Sequence, residues 1–422
     1  MFALVDCNSF FCSVEKVFHP GLDGKPLCVL SSNDGCIVAL TPEAKAVGLR
    51  RGDPLFKVKD IVKAHDVRVF SSNMYLYAAM SRRITSIMRR CLPHVEKYSI
   101  DESFCDLRGC EKFFPLDELM RDVANRIKLW TDVPVSVGIA PTKTLAKMGS
   151  KFAKQYKGYR GVCLIDSDEK RRKALEIFPL EEVWGIGRRT LARLNFLGVT
   201  TTTELANKSE KWVRTYFTKP VVQTWMELNG ESCIDTAEIV RNKSLTTSRS
   251  FGKMVRSLDE LKTAVAHFTA SCANKLRGQR AVAKTITVFV CSNRFREDLE
   301  QYADAMTAEF VVPTSDTIEM TQAALGLLER LYKPGIWYKK SGVIVGEITD
   351  GRLLQGDLFD PVNGRGERLQ LMKAIDSLNQ KYGLKTVKLL AEGEKRHNWD
   401  VKSEHRSGNY LTTPRELLTL NA

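Results

Sequence analysis

Three carboxylates at the ends of two apolar segments are the side chains of this 422-residue chain best suited to chemistry. Met1-Phe-Ala-Leu-Val-Asp6 is an apolar run short enough for a buried strand, and it ends in an acid. Ser99-Ile-Asp101-Glu102 sets two adjacent acids between strand-like segments at residues 95–99 and 104–107. Successive strand residues point to opposite faces, so Asp101 and Glu102 suit a turn in which both converge on one point. Three such groups suit two divalent cations about 3.5–4 Å apart, the arrangement that aligns attacking and leaving oxygens in phosphoryl transfer. Hard oxygen ligands without His or Cys favour Mg²⁺ or Mn²⁺ over Zn²⁺. Taken singly, an acid after a strand and an Asp-Glu turn are commonplace, and the two fragments alone leave that reading open.

Further groups could act on an anion. Lys143, Lys147, Lys151 and Lys154 share one helical face by their spacing. Such a stripe is ordinarily solvated, but like charges so stacked can also answer to a bound anion. Val183-Trp-Gly185-Ile-Gly187-Arg188-Arg189 is followed by Leu191, Leu194 and Phe196-Leu-Gly198. This pattern resembles a helix-hairpin-helix, in which glycines let amides at a helix start approach a DNA phosphate and Arg188 adds charge. A lone Gly-x-Gly is more often just a turn. The net charge of +14 suggests a polyanionic partner. Residues 241–296 carry 12 Lys or Arg against two acids, Asp259 and Glu260, so +10 sits in one stretch. Concentrated charge of this kind favours nucleic-acid backbone contacts through counterion release.

The elements that must hold these groups follow from periodicity. Up to about residue 165 apolar strands alternate with amphipathic helices: strands at 26–30, 67–71, 95–99, 104–107, 133–140 and 162–165, helices at 73–90 and 142–157. Phe10, Val14 and Phe18 fall on one helical face. Between about 166 and 235 the strands vanish and short helices take over. A linker at 236–244 leads to a second α/β unit that begins at 248–252. It has capping boxes at Ser257-x-x-Glu260 and Asp316-x-x-Glu319 and strands at 282–290 and 341–348. After residue 349 the chain turns mixed and polar, as expected of a partly ordered tail. This length implies several domains. Eleven scattered cysteines without a Cys-x-x-Cys pair argue against zinc and for a reducing compartment. No apolar stretch approaches a membrane span, so a cytoplasmic protein with no membrane partner is expected.

Phe-Ala-Leu-Val-Asp6-Cys-Asn-Ser-Phe10-Phe11 and Tyr-Ser-Ile-Asp101-Glu102-Ser-Phe together resemble the two acidic motifs of the Y-family translesion DNA polymerases. The resemblance runs through nearly the whole chain and is nearest to the UmuC type, the catalytic subunit of bacterial DNA polymerase V. It implies an α/β multidomain (α+β) right-hand polymerase. Residues 1–165 would form a ferredoxin-like palm with small fingers inserted at about 22–76. Residues 166–235 would be the helical helix-hairpin-helix thumb, 241–348 the α/β little-finger domain, and 349–422 a tail with a clamp-binding peptide. By the same resemblance Asp6, Asp101 and Glu102 are catalytic acids, and with the backbone carbonyl of Cys7 they hold two Mg²⁺ ions, with Mn²⁺ as a substitute. Phe11, five residues after Asp6, falls at the steric-gate position that excludes ribonucleotides. Either Phe10 or Phe11 could equally be a core residue of the following helix, which suits Phe10 better.

Lys45 and Lys154 match nucleotide-binding positions, and Gly185, Gly187 and Arg188 match DNA phosphate-binding ones. Many relatives have Tyr and Arg where this chain has Pro42 and Lys45, which removes a hydroxyl donor and a bidentate fork. Asn8 stands where many have a further acid, a change that polymerase V relatives tolerate. Gln355-Gly-Asp-Leu358-Phe359 resembles the peptide that bacterial polymerases insert into the sliding clamp (the beta subunit). Residues 371–379 and 410–413 resemble the polymerase V tail. The activity implied is error-prone, template-directed synthesis on damaged DNA in the SOS response. The substrates are primer-template DNA and dNTPs, and the partners a processed UmuD-type dimer, RecA and the clamp. Two rivals are a single-subunit lesion-bypass polymerase, against which the tail argues, and a catalytically silent DNA-binding relative, against which the intact acids argue.

Overall fold

The apolar run at the amino terminus becomes β1 (Phe2–Cys7), the middle strand of a five-stranded sheet and so buried on both faces. The structure is a computed structural model, and it describes residues 1–236, 242–352, 355–360, 362–383, 385–393, 397–411 and 416. Contacts divide the chain into two units, Met1–Glu238 with Glu404–Ala422, and Ile239–Ser403.

In the first unit β1 leads to α1 (Phe10–Phe18), β2 (Leu27–Leu30), β3 (Ile37–Leu40), α2 (Pro42–Ala46), α3 (Lys59–Ala64) and β4 (Arg68–Ser71). Then come α4 (Met74–Cys91), β5 (His94–Lys97), β6 (Glu102–Asp106), α5 (Leu116–Thr131), β7 (Val135–Ala140), α6 (Lys143–Gln155) and β8 (Val162–Leu164). The main sheet has the order β5-β6-β1-β7-β8, with β1 antiparallel to both neighbours. Strand periodicity splits the core in two. Ala3, Val5 and Cys7 pack with Met80 and Ile84 of α4 and Met120, Val123 and Ile127 of α5. Leu4 and Phe104 pack on the other face with Leu145, Met148 and Phe152 of α6. Helix α6 lies hard against β7: a Cβ on Gly138 would meet Ala146 O and Ser150 N at 2.0 Å. Strands β2, β3 and β4 form a separate small sheet, in the order β3-β2-β4, over a core of Cys28, Leu30, Ile37, Leu40 and Leu49. Between β8 and residue 236 the described elements are helices: α7 (Asp168–Ile177), α8 (Arg188–Phe196), α9 (Thr202–Ala206), α10 (Glu210–Tyr216) and α11 (Lys219–Leu228).

The second unit contains β9 (Ser244–Val255), α12 (Leu258–Gly278), β10 (Ala281–Ser292), β11 (Ala303–Thr314), α13 (Thr317–Leu331), β12 (Tyr338–Asp350) and α14 (Arg365–Tyr382). Its antiparallel sheet runs β11-β10-β12-β9, backed by α12 and α13 through Phe268, Leu276, Met320 and Leu328. Sequence periodicity finds β10 and β12, the two inner strands. It does not find β11 and only brushes β9, because edge strands of mixed polarity are defined by hydrogen bonds to a neighbour. Ser257 accepts from the Asp259 amide, not in the reciprocal box expected with Glu260. Asp316 Oδ1 accepts from the Ile318 and Glu319 amides, and Glu319 turns instead to Arg365 at 3.0 Å.

Beyond β12 the described residues make more tertiary contacts than their polarity suggests. Met372 of α14 is buried, as is Trp399. Residues 404–411 belong to the first unit, where Ser71 N donates to His405 O at 3.0 Å. Part of the linker (237–241, with Arg241) and Thr412 and Thr413 of the tail motif lie outside the described residues. All eleven cysteines are free thiols. Among the described residues no helix is long and apolar enough to cross a membrane.

Candidate active site

The register of β1 against β6 brings two of the three acids face to face: Asp6 pairs directly with Glu102, and Leu4 with Phe104. Opposite residues on one face of an antiparallel pair have Cβ atoms about 4.5–5.5 Å apart, so these carboxylates are immediate neighbours. The third acid arrives through the turn before β6. Cys7 N donates to Asp101 O at 3.0 Å, tying the end of β1 to that turn. Ser99 Oγ accepts from the amides of Asp101 at 3.2 Å and Glu102 at 2.9 Å, and donates to Asp101 Oδ1 at 2.6 Å. Ser99 thus shapes the turn and aims one carboxylate. It stands in the acidic motif, yet nothing in its sequence context distinguishes it from any turn serine.

Helix α6 crosses the face that carries Asp6 and Glu102, and its lysines are drawn to acids. Lys147 Nζ lies 2.8 Å from Glu102 Oε1 and 3.0 Å from Oε2. Lys154 Nζ lies 3.7 Å from Asp6. The other two lysines of the stripe have different work: Lys143 is buried and bonded to Glu96 at 3.0 Å and to Thr236, while Lys151 pairs with Glu182. Lys147 also stands over the rings of Tyr98, at 4.8 Å, and Trp184, at 5.4 Å, and these two rings share a hydrogen bond. Each lysine of the stripe thus faces an acid, although Lys151 and Lys154 remain partly open to solvent. Which lysine meets which acid depends on the docking of α6 and leaves no signal in local spacing.

Burial pushes the Asp6 carboxyl up to about 6, with Lys154 opposing and the charges of Glu102 and Asp101 adding to the rise. Burial likewise raises the Cys7 thiol, whose side chain packs with Ala3 and Val5 in the core on the face opposite Asp6, away from the acids. The donor set suits a hard divalent cation: three carboxylates and a carbonyl, with no imidazole or thiolate. Among the described residues no three His, Cys, Asp or Glu side chains already enclose a metal-sized space. Lys147, Lys154 and Ser99 each draw one carboxylate to themselves, while a cation would offset the burial that chiefly raises Asp6 and the smaller repulsion from Glu102 and Asp101.

Phe10 is buried in the core, whereas Phe11 is partly exposed, with its ring stacked on Tyr77 at 4.5 Å. Lys45 is exposed on α2, whose amino terminus is capped by Thr41. Gly185 has φ 93°, and a Cβ there would meet Thr224 Oγ1 at 2.3 Å, so its conformation and its neighbour both demand glycine. Gly187 is the N-cap of α8 with open space beside it, and Arg188 is exposed at the helix start. In the second unit Leu358 and Phe359 are 93% and 84% exposed, so neither belongs to a core.

Residues 5–151 match the impB/mucB/samB family, 242–358 match the C-terminal domain of that family, and 370–420 match a domain of unknown function (DUF4113). Protein ImpB of Salmonella typhimurium is 38% identical over 99% of this chain and 99% of its own. Protein UmuC of Salmonella typhimurium is 37% identical over 99% of each. DNA polymerase IV 1 of Bacillus subtilis is 26% identical over 91% of each. A solved chimera of the Y-family DNA polymerases Dbh and Dpo4 has a TM-score of 0.65 at 23% identity, covering 82% of this chain and 99% of its own, a likeness of fold. With a family model on each unit and near-full-length relatives above a third identical, the chain belongs to the impB/mucB/samB family of UmuC-type Y-family polymerases.

Proposed function

We propose that the strand end carrying Asp6, Asp101 and Glu102 is the nucleotidyl-transfer centre of an error-prone translesion DNA polymerase, which extends a primer on damaged template DNA. The observation that carries this reading is the cross-strand pairing of Asp6 with Glu102, with Asp101 bonded to the end of β1. In this reading Asp6, Asp101, Glu102 and the Cys7 carbonyl hold two Mg²⁺ ions, or Mn²⁺ in their place. The ions, when bound, activate the primer 3′-hydroxyl and hold the departing pyrophosphate. Lys147 and Lys154 neutralise Glu102 and Asp6 in the free protein. Lys154, the more exposed, then turns to the triphosphate, and Lys45 adds a point charge there. Phe11 presents its ring to the 2′ side of the incoming sugar.

The same reading makes residues 1–165 the palm with its inserted fingers and 166–235 the thumb, where the amide after Gly187 and Arg188 meet a DNA phosphate. Residues 241–348 are the little finger, whose basic excess binds DNA backbone. Gln355, Leu358 and Phe359 reach the sliding clamp, and the high exposure of both apolar side chains supports this. A processed UmuD-type dimer and RecA complete the set of partners in the SOS response, in the cytoplasm. Full-length identity to UmuC exceeds that to polymerase IV, which favours this branch over the single-subunit one. Primer extension with Mg²⁺ by Asp101→Ala and Glu102→Ala tests the centre. Nucleotide addition should be lost while DNA binding stays, and addition within tenfold of wild type would refute the triad.

A further inference from the structure

We propose that the returning C-terminal segment 405–408 sets the position of the Phe11 ring through Glu15 and Tyr77, and thereby the enzyme's discrimination between sugars. The proposal rests on reading Phe11 as the steric gate. Ser407 lies 392 positions from Glu15 in sequence, yet its hydroxyl donates to Glu15 Oε1 at 3.0 Å. The Tyr77 hydroxyl donates to the same oxygen at 2.6 Å. Tyr77 in turn carries the Phe11 ring, stacked at 4.5 Å with an interplanar angle of 15°.

The segment holds both helices that make this stack. Glu15 stands one turn after Phe11 on α1, and Tyr77 one turn after Asn73, the N-cap of α4. Asn73 Nδ2 donates to Ser407 O at 3.0 Å and Gly408 O at 3.2 Å, while Asn73 Oδ1 accepts from the Leu76 amide that starts the helix. Ser71 and His405 exchange two further hydrogen bonds just ahead of α4.

Packing alone does not call for this arrangement. Glu15, Asn73 and Tyr77 are all 0% exposed amid an apolar core. A buried carboxylate is costly unless well bonded, and Glu15 Oε2 has no hydrogen-bond partner among the described residues. Phenylalanine at 77 would fill the same space. What the polar chain adds is orientation: it fixes the ring behind Phe11 from a segment that, among the described residues, bonds to Glu15 and not to Asp6, Asp101 or Glu102. The segment falls within the region matched by the domain of unknown function, and this would be one role for it.

Single-nucleotide insertion of a dNTP and its matching rNTP by the full chain tests the proposal, in Phe11→Ala, Tyr77→Phe, Ser407→Ala and Phe11→Ala/Ser407→Ala. Phe11→Ala should admit the rNTP; if it does not, the gate reading itself is wrong. Given that it does, Tyr77→Phe and Ser407→Ala should each lower the dNTP-to-rNTP ratio of kcat/KM roughly threefold to tenfold, since each removes a hydrogen bond that holds Glu15 Oε1, and Ser407→Ala also removes the one from Asn73 Nδ2 at 3.2 Å. Their dNTP kcat should change less than twofold. Ser407→Ala should have no further effect on the ratio once Phe11 is Ala. An unchanged ratio in both single variants would overturn the proposal. So would an equal loss of activity with both sugars, the mark of a merely structural contact.

Discussion

Asp6→Asn should stabilise the metal-free protein at neutral pH by up to about 3 kcal/mol, even though it removes a residue assigned to catalysis. In the folded chain the Asp6 carboxyl titrates near 6 rather than 3.8, chiefly because it is buried. Between these values the folded state holds a proton that the unfolded chain has released. The stability this group contributes is therefore full below about pH 3.8 and is lost as pH rises to about 6. The difference corresponds to roughly 3 kcal/mol at about 1.4 kcal/mol per pH unit, a penalty carried at every pH above 6. Asn fills the same volume without a charge, so its advantage should be complete at pH 7.5 and close to nothing near pH 4. The two units need not unfold together, so amide exchange of β1, at Leu4 and Val5, in urea with EDTA is the right observable. Mg²⁺ should then stabilise the wild type more than the variant. A gain below about 1 kcal/mol at pH 7.5, or an equal gain at pH 4, would refute the reasoning, because burial of a charged Asp6 would no longer be the cause.

Gly138→Ala should destabilise the first unit by roughly 3–5 kcal/mol, since the new methyl would collide with the backbone of α6; near-normal urea unfolding of β7 and α6 would show that the helix can move away. Leu358→Ala with Phe359→Ala should remove clamp-dependent synthesis and spare distributive extension of short primers, the two side chains being solvent-exposed; clamp stimulation at wild-type strength would defeat the assignment. Lys253→Ala with Arg294→Ala, two exposed basic residues of the second unit, should reduce the salt dependence of DNA binding. For each DNA phosphate no longer neutralised, the slope of log affinity against log salt flattens by roughly 0.9, so an unchanged slope would mean that neither residue faces DNA.

Much of the site was legible locally. A short apolar run suits a buried strand and an acid at its end suits a sheet rim, so the place of β1 and Asp6 is readable locally, while the role of Asp6 rests on the resemblance of the two acidic motifs. The Asp101-Glu102 turn, the helices at 73–90 and 142–157 and the open Leu358-Phe359 pair are likewise readable, each signalled by neighbours in sequence. The tertiary structure decided the rest. It settled that Glu102, not Asp101, faces Asp6, because strand register depends on hydrogen bonds between segments nearly a hundred residues apart. It divided a uniform lysine stripe into Lys143 and Lys151 bound to Glu96 and Glu182, and Lys147 and Lys154 bound to the acids, because Gly138 lets α6 sink onto β7. It also returned a polar tail to the buried Glu15, where hydrogen bonds to Ser407 and Tyr77 join residues whose spacing carries no period at all. Local periodicity reports which face of an element is apolar; which face of another element meets it is a matter of packing in three dimensions.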